Sequence, residues 1–301
     1  MHRTTALLLT SLAAASAAVA AAASGSPSGA PPNRVVFPVV GPVTYYDDFG
    51  EPRGTGTHQG NDIVAEKRSP VVAVEDGSVK IWTSSRSAGC MVYLYGRSGT
   101  TYEYIHLNND LTAKNDNRGS CVPKVAYASG LRDGQAVRAG ELLGFVGDSG
   151  DADGGHAHLH FELHPGGGAA VSPYDWLQRG RRLLYAVPND AARPLELTLL
   201  GTVRATAPGD DAEPRLTVAV RQVRVSNGWT LTSDRAIVLR VPSDTVVERA
   251  SQSGAQPDAI EDVKAGEQLS ATVEIGEPTL KTQIASPGVL AAASVLVQGK
   301  G

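Results

Sequence analysis

Residues 154–163 have the sequence Gly-Gly-His-Ala-His-Leu-His-Phe-Glu-Leu, and their alternation decides the fold. In an extended strand, successive side chains point to opposite faces, so His158, His160 and Glu162 would share one face. Two imidazoles separated by two strand rises, about 7 Å, can bind a metal ion or transfer protons. The segment therefore predicts a half-buried β-strand that carries a chemical site. Its other face is apolar and consists of Leu159, Phe161 and Leu163.

A second pair of polar residues, His58 and Asp62, lies upstream in a turn-rich stretch. The glycines that precede and separate them favour a loop entering a strand over a helix. Together with one imidazole of the downstream strand, they would form a His2Asp site with an open fourth position, the arrangement of a catalytic zinc ion. Taken alone, they would be an ordinary loop histidine and a solvated acid.

The distribution of histidines supports a shared site. The chain has seven histidines, and the six other than His2 fall between His58 and His164. Residues 165–301 contain none. Random surface or core histidines would not be expected to cluster in this way. The pattern therefore favours one site to which several of them contribute.

Three motifs occur in this order: His58-x-x-x-Asp62 with Gly60 between, Tyr104-Ile105-His106-Leu107, and His158-Leu159-His160-Phe161-Glu162. In these motifs the chain resembles the lysostaphin/LytM-type zinc metallopeptidases of the M23 family, which are peptidoglycan endopeptidases. Residues 135–146 also resemble a hairpin of that family. The similarity covers about residues 35–178, and it is the combination of motifs that is specific.

The resemblance implies that His58, Asp62 and His160 bind one Zn²⁺ per chain, and that His106 and His158 are catalytic histidines that do not bind the metal. It implies a secreted endopeptidase that hydrolyses peptide bonds of cell-wall peptidoglycan through a zinc-activated water. The alternative is a non-catalytic LytM-like protein that binds the wall or activates an amidase. All five motif residues are present, which favours the enzyme. A purely structural zinc site would need a fourth protein ligand.

Four neighbouring residues have more ordinary interpretations. Glu162 either orients an imidazole or is a solvated strand residue, and the sequence leaves this open. His156 is expected to be an exposed loop histidine, and His164 is expected to be peripheral because Pro165 ends the strand. For Tyr104 we expect packing on the sheet.

The N-terminal segment, residues 1–23, has a short positive start followed by an Ala/Leu/Val run and is interpreted as a secretory signal peptide. Residues 24–34 form a flexible Gly/Pro/Ser-rich lead-in. The run is short for an uncleaved membrane anchor, so no stable membrane span is expected after cleavage. Export to an oxidising space favours a disulfide between Cys90 and Cys121 over two buried thiols.

The predicted fold is mainly β, with two domains. Residues 35–185 would form an antiparallel-sheet, lysostaphin/LytM-like peptidase domain whose groove holds the metal. Residues 193–301 contain regularly spaced short strands and would form a small all-β domain, either a barrel or a sandwich, with an OB-like barrel among the options. This second domain has no histidine or cysteine, and its role and protein partner are left open. The net charge of −4 without a basic run excludes a nucleic-acid partner.

Overall fold

The computed structural model describes most of the chain from residue 32 onward. The predicted signal peptide, residues 1–23, lies outside the described residues, as does nearly all of the lead-in at 24–34. Within the described ranges, no helix is long and apolar enough to cross a membrane. These ranges are 32, 35–54, 56–189, 194–208, 213–226, 230–276, 280–283 and 288–300.

The first part of the chain consists mainly of short antiparallel strands, as predicted. Seven of these strands form one sheet, called sheet 1, in the order β1-β4-β11-β8-β7-β6-β9. The elements are β1 (Val43–Thr44), β2 (Pro52–Arg53), β3 (Gly56–Thr57), β4 (Asn61–Ala65), β5 (Pro70–Val72), β6 (Gly77–Ser85), β7 (Gly89–Gly96), β8 (Thr101–Leu107), β9 (Ala136–Val137), β10 (Leu142–Phe145), β11 (His158–His164) and α1 (Tyr174–Arg179).

Strand β11 lies between β4 and β8 and has the two predicted faces. Leu159, Phe161 and Leu163 are almost fully buried, while His158 and Glu162 remain partly exposed. Each of the three apolar side chains contributes about 1.5–3 kcal/mol by its burial. The predicted half-buried strand is thus confirmed, and its apolar face anchors the polar one.

The core under β11 is aromatic. The rings of Tyr104 and Phe161 meet edge to face with centroids 5.2 Å apart, and Tyr102 stacks on Phe161 at 5.9 Å. The hydroxyl of the fully buried Tyr104 accepts a hydrogen bond from the backbone N–H of Val74 at 3.0 Å. The expectation that Tyr104 packs on the sheet is confirmed.

The predicted disulfide is present and joins Cys90 of β7 to Cys121, in the loop that follows β8. The outer part of this loop is exposed, but Asn108 and Asp110 at its start are fully buried. The ammonium group of Lys67 pairs there with two buried carboxylates, at 2.6 Å from Asp110 Oδ2 and 3.0 Å from Asp148 Oδ1. This buried ion cluster ties the loop after β8 to the segment that leads into β11.

The second part of the chain forms an eight-stranded sheet, called sheet 2, in the order β16-β15-β19-β17-β12-β13-β14-β18. An OB-type barrel has five strands, so the eight strands of sheet 2 do not match the OB-like alternative. The prediction that this part of the chain is mainly β is confirmed. The elements are β12 (Leu195–Ala207), β13 (Arg215–Val225), β14 (Thr230–Arg240), β15 (Val246–Ser251), β16 (Gly254–Pro257), β17 (Glu267–Ile275), α2 (Leu280–Gln283), β18 (Val289–Ala291) and β19 (Ser294–Lys300).

Sheet 2 touches the first part of the chain through Gln283 at the end of α2. The buried side-chain amide of Gln283 donates to the backbone carbonyl of Gly140 at 3.1 Å, and the backbone carbonyl of Gln283 accepts from the N–H of Leu184 at 2.7 Å. The two sheets use separate stretches of chain, and the predicted domain limits at 185 and 193 stay a prediction.

The buried ion cluster gives a test of stability. Lys67→Met is expected to lower the free energy of unfolding by about 3 kcal/mol, because it leaves two buried carboxylates without their shared cation. Urea unfolding followed by tryptophan fluorescence measures the change. Lys80→Met is the matched control, since the ion pair of Lys80 with Asp133 is exposed and its loss should change the unfolding free energy little. If the two variants unfolded with the same free energy of unfolding, the role given to Lys67 would be contradicted.

Candidate metal centre

The structure brings together the three residues predicted to bind metal. His58 lies in the loop between β3 and β4, Asp62 is the second residue of β4, and His160 of β11 lies directly opposite Asp62 in the strand register. His58 Nε2 is 2.8 Å from His160 Nδ1, and these atoms are 3.0 and 2.9 Å from Asp62 Oδ1. The three ligand atoms therefore form a small triangle at the edge of the sheet face.

The hydrogen bonds of the two imidazoles orient their free nitrogens toward this triangle. The Nδ1–H of His58 donates to the carbonyl of Asp48 at 2.9 Å, and the Nε2–H of His160 donates to Glu162 Oε1 at 2.9 Å. In these tautomers, His58 Nε2 and His160 Nδ1 carry lone pairs that converge with those of Asp62. Ligand atoms around a tetrahedral zinc ion are about 3.3 Å apart, so the donor set fits such an ion.

Gly60, which lies between His58 and Asp62, allows the loop of His58 to approach strand β11 closely. A Cβ atom at Gly60 would lie only 2.4 Å from the carbonyl oxygen of Phe161 in β11. Any larger residue would push the His58 loop away from the strand that carries His160. Gly60 is therefore required by packing between the two halves of the site.

The charge state of the centre suits a divalent cation. Burial raises the pKa of Asp62, but hydrogen bonds from His160 and His58 outweigh this and hold that pKa well below its ordinary range. Burial lowers the pKa of His160, but hydrogen bonds to Asp62 and Glu162 raise it to about 9. Without a metal ion His160 is therefore protonated at neutral pH, and a metal ion would displace the proton at Nδ1 to give the tautomer described above. Both shifts arise from carboxylates and imidazoles held in contact, and Asp62 stays ionised, the form that binds a cation.

Asp48 is a supporting residue that the sequence reasoning missed. It is buried, its carbonyl holds His58, and its carboxylate Oδ1 accepts from Asn61 Nδ2 at 2.6 Å. The half-exposed Arg53 reaches the same place, with its guanidinium 3.0 Å from Asp62 Oδ2. No motif spacing indicates Asp48, because its contacts are made across the turn that contains β2 and β3.

His106 and His158, the two predicted catalytic histidines, lie beside the triangle with ring centroids 5.0 Å apart. The Nδ1–H of His106 donates to the carbonyl of Ser149, and the Nδ1–H of His158 donates to the carbonyl of His156, each at 2.8 Å. Both rings therefore present an Nε2 lone pair to the space around the centre. His158 Nε2 is 3.7 Å from Asp62 Oδ1.

The backbone of His106 is unusual, with a φ of 61°. This left-handed conformation is uncommon for residues other than glycine, costs free energy and occurs frequently at functional sites. Burial and the neighbouring His158 lower the pKa of His106 to about 4, so its imidazole is neutral at pH 7. A neutral ring with a free Nε2 can accept a proton.

The site opens into a cleft of about 500 Å³. A neighbouring recess of about 650 Å³ continues from it and shares Arg53, Asp62 and His158. The exposed side chains of Tyr46 and Val64 line this recess. An extended peptide can therefore pass across the centre rather than enter a closed pocket.

The side chains around His160 resolve the remaining expectations. Glu162 orients His160, and hydrogen bonds from His160 and His164 outweigh its burial and lower its pKa to about 2. His164 is not peripheral, because its Nε2 lies 2.7 Å from Glu162 Oε2 and 3.4 Å from Glu103 Oε1. His156 is exposed, as expected, and contributes only its carbonyl.

Comparison with known proteins gives partial matches. No protein-family model matches the chain. It is 28% identical over 153 residues to the L-Ala–D-Glu endopeptidase of Bacillus subtilis (strain 168), covering 47% of this chain and 42% of that protein. It is 32% identical over 119 residues to an uncharacterized metalloprotease of Haemophilus influenzae, covering 38% of this chain and 20% of the relative. The chain thus spans less than half the length of either relative.

The chain is therefore similar to known peptidases over part of its length. Among solved structures, the catalytic domain of the prophage-encoded M23 protein EnpA from Enterococcus faecalis, in a variant form, is 25% identical with a TM-score of 0.33, covering 44% of this chain and 90% of that chain. The resemblance inferred from the motifs is confirmed as a similarity over less than half of the chain.

At this site, Glu162→Gln is expected to lower the zinc affinity about 10–100-fold, because a neutral amide orients His160 more weakly than a carboxylate does. Competition with a chromogenic chelator measures the affinity. Glu261→Gln, at an exposed position far along the chain, is the matched control. If both variants bind zinc like the parent protein, Glu162 does not orient the ligand.

Proposed function

We propose that the protein is a secreted, zinc-dependent endopeptidase that hydrolyses peptide bonds of bacterial cell-wall peptidoglycan. The observation that carries the proposal is the convergence of the lone pairs of His58, Asp62 and His160, with two further imidazoles facing the same open cleft. The L-Ala–D-Glu endopeptidase activity named for the Bacillus subtilis relative supports a peptide substrate of this class. The signal-like residues 1–23 and the disulfide support export.

The proposed roles follow from which groups can hold charge. A zinc ion, when bound, polarises a carbonyl and lowers the pKa of a bound water. His106 is buried and neutral, so its Nε2 would accept a proton from that side of the cleft. His158 presents its Nε2 to the same space, 3.7 Å from Asp62 Oδ1, and once it has taken up a proton it would donate a hydrogen bond to a developing oxyanion. His58, Asp62 and His160 would hold the metal.

The open shape of the site also fits this reaction. The two recesses on either side of His158 together accept an extended chain, as an endopeptidase requires. Arg53 is the one Lys or Arg side chain among the described residues that line these two recesses. The negative side chains that surround the ligands would be neutralised by the divalent cation.

The test is release of free amines from purified peptidoglycan sacculi by the mature protein. Release should depend on zinc, stop with a chelator and fall about 10²–10⁴-fold in His158→Ala, because one proton-transferring group is lost. Arg204→Ala is the control, since it removes an exposed side chain of β12 in sheet 2, outside both recesses.

Mass spectrometry of the released fragments would identify the bond that is cleaved. Zinc-loaded protein that releases no amine from several wall types would contradict the enzymatic proposal. The non-catalytic alternative, binding to the wall or activation of an amidase, would then take its place.

A further inference from the structure

Ser149 and the Cys90–Cys121 disulfide lie at the Nδ1 side of the His106 ring. We propose that Ser149 is a positioning residue for His106 and that the disulfide acts on catalysis through Ser149. The inference rests on the proposed function of His106. It concerns groups that touch neither the metal ligands nor the substrate cleft directly.

The hydroxyl of Ser149 bridges two strands. It accepts a hydrogen bond from the N–H of Cys90 in β7 at 2.9 Å and donates one to the carbonyl of Leu107 in β8 at 2.6 Å. Cys90 and Leu107 are register partners, and the pairing becomes irregular between Cys90 and Val92. Ser149 is 2% exposed, so water cannot replace these bonds when the hydroxyl is removed.

The carbonyl of the same residue holds the ring of His106. This bond, at 2.8 Å to Nδ1, fixes both the tautomer and the direction of Nε2. The positive φ of His106 makes its backbone a costly conformation that surrounding contacts must maintain. The N–H of His106 donates to the carbonyl of Ala88, next to the strand that contains Cys90. The ring therefore depends on the relative placement of β7 and residue 149.

The packing around Ser149 transmits displacements. A Cβ atom at Gly89 would lie 2.4 Å from Ser149 Oγ, so the turn before β7 is in close contact with this residue. A movement of Cys90 would therefore displace both the hydroxyl and the carbonyl of Ser149. Close-packed interiors pass on such shifts rather than absorb them.

The disulfide controls the placement of Cys90. Cys90 and Cys121 close a loop of 31 residues in sequence separation, and His106 lies within this loop, whereas the three predicted zinc ligands lie outside it. An open recess of about 460 Å³ lies beside the disulfide. Cys90 and Ser149 are buried at its base, whereas Cys121 is partly exposed, so a small reductant would reach the disulfide at the sulfur of Cys121.

The chemical step at the disulfide is thiol–disulfide exchange. A dithiol reductant would transfer two electrons and two protons, converting the disulfide to two thiols while the dithiol becomes a disulfide. Reduction would release the loop from β7 and loosen the hold on His106. The metal ligands would keep their places.

The experiment uses the full mature chain and the variants Ser149→Ala and Ser78→Ala. Ser78 of β6 is the matched control because it is a half-buried serine of sheet 1 outside the contacts of His106. Ser149→Ala is expected to lower kcat for amine release about 10–100-fold with KM and zinc content unchanged, because a ring displaced by about 1 Å loses its alignment. The Nδ1–H signal of His106 in histidine-labelled NMR spectra should shift or broaden.

The disulfide arm repeats these measurements after reduction with a dithiol. Reduction should lower kcat of the parent protein and have little further effect on Ser149→Ala, because the two perturbations act by one route. If reduction lowered the kcat of Ser149→Ala by the same factor as it lowers that of the parent protein, the link between the disulfide and Ser149 would be overturned. Gly89→Ala, which displaces the hydroxyl from the opposite side, should reproduce the Ser149→Ala result.

An unchanged kcat and an unchanged His106 signal in Ser149→Ala would overturn the positioning role. The NMR signal separates this failure from that of the proposed function. If the parent protein releases no amine but the His106 signal still responds to Ser149→Ala, the positioning holds and the peptidase proposal fails.

Discussion

The pairing of β11 with β4 on one side and β8 on the other is the constraint on which the rest of the site depends. His160 is opposite Asp62 in β4 and opposite Ile105, next to His106, in β8. A slip of one residue would turn the imidazoles into the core and the apolar side chains toward the cleft. The burial of Phe161 and its neighbours therefore fixes the geometry of the metal centre as well as the stability of the sheet.

A second constraint acts through the segment that precedes β11. Its buried Asp148 is paired with Lys67, the carbonyl of Gly147 accepts from the N–H of His158, and Ser149 contacts both β7 and β8. One short stretch of chain thus places both catalytic candidates. Because its anchors are polar and buried, it is held by specific hydrogen bonds rather than by apolar packing, and these bonds are costly to break.

The sequence was sufficient to predict β11, its two faces, the grouping of His58, Asp62 and His160, and the disulfide, because each depends on alternation or on rare residue types. It did not indicate Asp48, Ser149 or the ion cluster at Lys67. These residues are common types, and their partners are 10 to 81 positions away along the chain, so no local pattern marks them. His164 was assigned to the periphery because Pro165 follows it, although the strand reaches His164 before it ends. The strand number of sheet 2 depends on long-range pairing, including the parallel pairs β14–β18 and β15–β19, which short segments do not reveal.

The backbone carbonyls around the histidines have a consequence for how such sites evolve. Four rings donate their Nδ1–H to main-chain oxygens, those of residues 48, 149, 156 and 168. Every amino acid carries this oxygen, so mutation at an acceptor position does not by itself delete the acceptor. The tautomers of these rings therefore depend on the path of the backbone rather than on the side chains at the acceptor positions. The residues at these positions could therefore change while the proton arrangement of the four rings stays the same.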